Sequence, residues 1–84
     1  MPRSKFSRAD VTFRELLKEW RQQADITQAE LAKKLDQPQS YVSKYETGER
    51  RLDFAETAIV CDALGTDIQE FAAAFSERLR TRRK

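Results

Sequence analysis

Histidine is absent from the chain, and cysteine, methionine and tryptophan occur once each. Without histidine there is no side chain whose ordinary titration lies near neutrality, so a histidine general base or a histidine-ligated metal is excluded. The single cysteine, Cys61, excludes an internal disulfide. Two glycines and two prolines are too few to turn the corners of a β-sandwich or barrel. No unbroken apolar run exceeds a handful of residues, far short of the roughly 20 that span a bilayer, and no stretch reads as a signal peptide. Paired catalytic carboxylates, a nucleophile beside a base and a phosphate-cradling glycine loop are all missing, so an enzyme is not expected.

What is present is charge and helical periodicity. The 84 residues are 39% apolar and 36% charged, the balance of one small folded domain and too apolar for a disordered chain. A domain of this size buries only about 60% of its unfolded surface, so its apolar residues must be placed economically. The net charge of +2 conceals a strong segregation. Residues 1–8 carry +3, 9–26 carry −1, 27–51 carry +1, 52–77 carry −6 and 78–84 carry +5. A modest total therefore does not exclude an anionic partner.

The apolar pattern has a helical period throughout. Phe13, Leu16, Leu17 and Trp20 lie at i, i+3, i+4 and i+7 of a first helix, with Asp10 or Thr12 as its cap. Thr27 followed three residues later by Glu30 is a capping box for a second, whose buried side is Leu31, Ala32 and Leu35 and which ends near Asp36. Pro38 opens a third helix that Gly48 stops; its apolar side is only Tyr41, Val42 and Tyr45. Asp53 with Glu56 announces a fourth, with Phe54, Thr57, Val60, Cys61 and Leu64 inward and Gly65 at its end. Asp67 with Glu70 starts a fifth, striped by Ile68, Phe71, Phe75 and Leu79. Residues 1–8 read as a loose basic arm, 9–77 as the domain, and 78–84 as a basic tail that is either a solubilising end or a nonspecific contact to a nucleic-acid backbone.

The third helix has little apolar surface to bury, and Gln39, Ser40, Ser43, Lys44 and Thr47 fall on its other face. A helix fits the major groove of B-DNA, where glutamine pairs with adenine and lysine reaches guanine. A solvated helix in a plain bundle would show the same spacing. The runs Gln28–Leu35, Pro38–Glu46 and Gly48–Asp53, continued by Ala63-Leu64-Gly65, resemble the Cro/phage-repressor (XRE) class of helix-turn-helix DNA-binding proteins over roughly residues 12–75. The resemblance implies an all-α fold: a lambda-repressor-like compact bundle of five short helices, with the helix-turn-helix formed by helices 2 and 3. It implies a transcriptional regulator, a repressor that binds a palindromic operator as a homodimer.

Carried onto this chain, the resemblance places Gln39, Ser40, Ser43 and Lys44 at base-reading positions. It places Thr27 and Gln28 against a phosphate at a helix N-terminus, where exposed amides favour an anion. Tyr41 and Thr47 fall where the class touches sugar-phosphate, and Arg50 and Arg51 lie in a loop that follows the backbone. Ala32 and Val42 match the close crossing of the two helices, and Arg21 and Glu46 match a structural pair. Three departures stand out: Asp36 where glycine is common, Gln37 where an apolar residue is common, and Ala24-Asp25-Ile26 where a glycine is frequent. Gln37 is then a further phosphate contact. Phe71, Phe75 and Leu79 are the candidate dimer stripe, since a small domain seldom leaves such residues in water. The expected partners are double-stranded DNA and a second copy of the chain, in a prokaryotic or phage cytoplasm, with no cofactor, metal, membrane or small-molecule ligand. The alternative is an antitoxin-like or adaptor module that holds a basic protein on the acidic helices of 52–77.

Overall fold

Side-chain caps start four of the five helices, and the third begins at Pro38 without one. In the computed structural model, which describes residues 7–81, the helices are α1 (Arg8–Gln23), α2 (Gln28–Lys34), α3 (Gln39–Thr47), α4 (Phe54–Ala63) and α5 (Ile68–Thr81). No strand occurs among the described residues, and none of their helices is long and apolar enough to cross a membrane. The cap of α1 differs from both expected residues. Ser7 Oγ accepts from the Asp10 amide at 3.2 Å and donates to Asp10 Oδ2 at 2.8 Å, whereas Thr12 is buried outright. Asp10 therefore sits in the first turn, where its charge favours the exposed amides. The capping boxes at Thr27/Glu30 and Asp53/Glu56 are both complete. At α5, Asp67 accepts the Glu70 amide at 2.8 Å, but the Glu70 carboxylate accepts from the Thr66 hydroxyl at 2.8 Å.

Three helix ends share one solution. After α1, α2 and α4 the chain turns left-handed at Asp25 (φ 60°), Asp36 (φ 57°) and Gly65 (φ 82°). In each case the next amide bonds back to the carbonyl five residues earlier: Ile26 to Arg21 at 3.2 Å, Gln37 to Ala32 at 2.9 Å and Thr66 to Cys61 at 3.0 Å. The left-handed residue's own amide bonds to the carbonyl three back, completing the Schellman motif. An aspartate thus does what glycine does elsewhere, at the cost of some backbone strain. This sharp turn at Asp36 sets α3 across α2.

The core collects one or two side chains from each helix: Leu16 and Leu17, Leu31 and Ala32, Val42 and Tyr45, Val60 and Cys61, and Phe71. Beside it, Phe71 meets Phe13 and Trp20 edge-on at 5.6 and 5.5 Å between ring centres, joining α1 to α5. Two expectations are corrected here. Phe54, expected to point inward, is 74% exposed, because it is the first residue of α4 and projects beyond the layer that Thr57, Val60 and Cys61 fill. Phe71, expected on the dimer stripe, is only 3% exposed and is spent on the chain's own core. The terminal segments also end differently. Arg8 belongs to α1 and donates to the Leu79 carbonyl at 2.9 Å. Arg78 belongs to α5 and pairs with Glu19 at 2.7 Å. The rest of the expected arm and tail, residues 1–6 and 82–84, lies outside the described residues.

Candidate nucleic-acid interface

The α2–turn–α3 unit is held from below by Leu31, Ala32, Val42 and Tyr45, all buried. With that side committed, the remaining faces of α3 are left to solvent. Gln39, Ser40, Lys44 and Thr47 are exposed, and Ser43 and Tyr41 are half-buried at the edges of the face. Gln37 in the turn and Thr27 at the start of α2 are exposed beside them. The Thr27 hydroxyl is engaged in its capping box, accepting the Glu30 amide at 3.0 Å.

A chain of hydrogen bonds runs from the core to this surface. Arg21 of α1 and Glu46 of α3 meet in a two-point pair, Nε to Oε2 at 2.7 Å and Nη2 to Oε1 at 3.1 Å. Their side chains are 9% and 3% exposed. The third guanidinium nitrogen, Nη1, donates to the Ile26 carbonyl at 2.8 Å, fixing the loop before α2. Glu46 Oε1 also accepts from Gln28 Nε2 at 2.9 Å, and Gln28 Oε1 accepts from Gln39 Nε2 at 3.4 Å. A planar guanidinium facing a carboxylate has one favourable orientation, so this pair sets the rotation of α3 relative to α1 and α2.

The loop after α3 is clamped as well. Gly48 ends the helix at φ 90°, and a Cβ there would stand 2.7 Å from Arg14 Nη1. Arg50 bonds to Glu56 Oε2 at 2.8 Å and lies 4.6 Å above the Tyr41 ring. That contact holds the Glu56 carboxyl below its ordinary range, helped by the Asp53 amide. Arg51 stands 3.7 Å from Asp10, with its side chain about half exposed.

A family model described as Helix-turn-helix matches residues 17–71. Among solved structures, the "XRE-family like protein from Pseudomonas syringae pv. tomato str. DC3000" is 43% identical, with a TM-score of 0.77 over 81% of this chain and 83% of that one. This chain belongs to the XRE-type helix-turn-helix family. It is a DNA-binding transcriptional regulator of that family, although no curated protein matches it. Of the positions named from sequence, Thr27, Gln37, Gln39, Ser40, Lys44, Thr47 and Arg51 are exposed, and Gln28 and Ser43 are half-buried. Arg50 and Tyr41 are instead gathered into the clamp under the loop, where their first partners are protein groups. Sequence reading missed the link from Gln28 to Glu46 and the position of Arg14 against Gly48. Neither has a local signal, because each joins residues 18 or more positions apart. Among the described residues no cluster of three or more Cys, Asp or Glu side chains could hold a metal ion.

Proposed function

We propose that this regulator is a repressor that binds a palindromic operator as a homodimer, with α3 in the major groove. The observation that carries this reading is the buried Arg21–Glu46 pair extended through Gln28 to Gln39, which presents a polar helix face in one fixed orientation. Preorganised donors lose little entropy on meeting base edges. Gln39, Ser40, Ser43 and Lys44 read bases. Thr27, Gln28, Gln37, Tyr41, Thr47, Arg50 and Arg51 hold the sugar-phosphate backbone and set the register. The partner copy covers Phe75 and Leu79, which remain half-buried in the single chain, without Phe71. Two recognition helices then enter adjacent major grooves about one helical turn apart. The protein acts in the cytoplasm, by binding and not by catalysis.

Selection of sites from a random DNA pool, followed by fluorescence anisotropy on the best site, tests this. Gln39→Ala is expected to lose about 1–3 kcal/mol and to relax preference at one base position. Arg51→Ala should weaken every sequence alike and reduce the salt slope by about 1. Unchanged affinity and preference in Gln39→Ala would remove α3 as the reading element.

A second reading has one observation in its favour. Phe54 and Ile59 of α4 are 74% and 61% exposed in the acidic segment 52–77. Apolar residues rimmed by carboxylates suit a basic protein partner. Weak binding to all DNA at physiological salt would favour that module over the repressor.

A further inference from the structure

Two arginine–carboxylate pairs stand beside α3, and they differ in depth. Arg21 and Glu46 are almost enclosed, so parting them would strand a charge. The side chains of Arg50 and Glu56 instead keep 38% and 29% of their surface in water. They meet at two points, Nη2 to Oε2 at 2.8 Å and Nη1 to Oε1 at 3.3 Å. Nη1 also donates to the Arg51 carbonyl at 3.1 Å, and the guanidinium lies over the Tyr41 ring at the edge of α3. Glu56 has a tie of its own, since Oε1 accepts the Asp53 amide at 3.0 Å. Without Arg50 that carboxylate would still be capped and wetted, and exposed ion pairs change partners at small cost.

We infer that Glu56 sets the DNA affinity of this regulator by holding Arg50 until a phosphate displaces it. The inference rests on the reading that α3 enters the major groove and the loop after it follows the backbone. A phosphate offers the guanidinium the same planar two-point contact as a carboxylate. The exchange replaces one ion pair with another, so only the difference between them adds to DNA binding. Glu56 is ionised at neutral pH, because Arg50 and the Asp53 amide hold its carboxyl below the ordinary range. It acts through Arg50 and touches no base-reading side chain. Overall affinity is therefore lowered, while preference among sequences stays with α3.

The test is fluorescence anisotropy of the full chain at about 0.15 M salt, where a charge is screened within roughly 8 Å. The probes are the best duplex from a random pool and a scrambled duplex of equal length. Glutamine also closes a capping box, so Glu56→Gln keeps the start of α4. It is expected to bind the selected duplex about two- to fivefold tighter than the parent, with base preference unchanged. In an Arg50→Ala background the same change should alter affinity by less than about 1.5-fold, because the coupling runs through the guanidinium. The parent supplies a second readout. On adding the selected duplex, the Glu56 carboxyl carbon resonance should move toward its position in DNA-free Arg50→Ala. Glu56→Gln binding no tighter, an equal gain in the Arg50→Ala background, or a Glu56 resonance that stays in place would each overturn the inference and leave the repressor reading standing. A parent that binds both duplexes alike would remove that reading and this inference with it.

Discussion

At the residue scale, one aspartate and one ion pair position α3. Asp36 occupies a left-handed position at the turn, where a side chain costs about 1–2 kcal/mol relative to glycine. Glycine gives back part of that through its freer unfolded chain. Asp36→Gly is therefore expected to stabilise the domain by about 0.5–1 kcal/mol, seen as a higher urea midpoint with an unchanged slope. Asp36→Val should lower it, since a branched side chain tolerates this conformation worst. The Arg21–Glu46 pair is buried, so removing one partner strands the other charge. Glu46→Ala is expected to cost about 3–5 kcal/mol in chemical denaturation. The double replacement Arg21→Met with Glu46→Leu should recover most of that stability, yet DNA affinity should stay low because Gln28 has lost its acceptor. Recovery of both together would mean that the pair only supports the fold.

At the scale of the element, acidic caps carry the starts of α2 and α4. The Glu30 carboxyl is held below its ordinary value near 4.5 by the Thr27 amide and hydroxyl. That of Glu56 is held down by Arg50 first and the Asp53 amide second. A carboxyl whose folded pKa is depressed contributes stability that is fully present above its unfolded value and is lost as pH falls through the folded one. Thermal midpoints are accordingly expected to fall below about pH 4.5, and a Glu30→Gln/Glu56→Gln variant should show a flatter decline there than the parent. An identical acid slope in both would assign the loss to other carboxylates. These caps were legible in the sequence, because a threonine or aspartate three residues before a glutamate closes its hydrogen bonds within one turn. The start of α1 was not: Ser7, Asp10 and Thr12 are all competent caps, and only the burial of Thr12 and the packing of α1 decide between them. Phe54 was misread for a similar reason. Helical spacing says which residues share a face, but not how far along the axis the neighbouring layer extends.

At the scale of the whole molecule, the buried core closes over Cys61. It is fully buried, and burial pushes its thiol up to about 11. Little reactive thiolate therefore exists at neutral pH. The thiol is expected to resist a disulfide reagent at pH 8 in the folded protein and to react readily in urea, so that its labelling rate reports unfolding. Rapid labelling without denaturant would mean that α4 opens locally. The charge map takes its meaning at this scale too. The −6 of residues 52–77 lies on α4, on α5 as far as Glu77 and on the aspartates just before each, while the open face of α3 bears lysine, serine and glutamine.

By itself the sequence determined the five helices, the helix-turn-helix and the polar face of α3, since capping, turns and apolar periodicity act within a few residues. It also named the Arg21 and Glu46 positions through the family's pattern. Only the tertiary structure decided that Phe71 serves the core and Phe54 does not, that Arg50 is clamped by Glu56 and Tyr41, and that Arg14, Arg51 and Tyr45 share a cleft with Phe75. These outcomes join residues from separate helices, and they depend on how the helices are rotated and stacked once the core is packed.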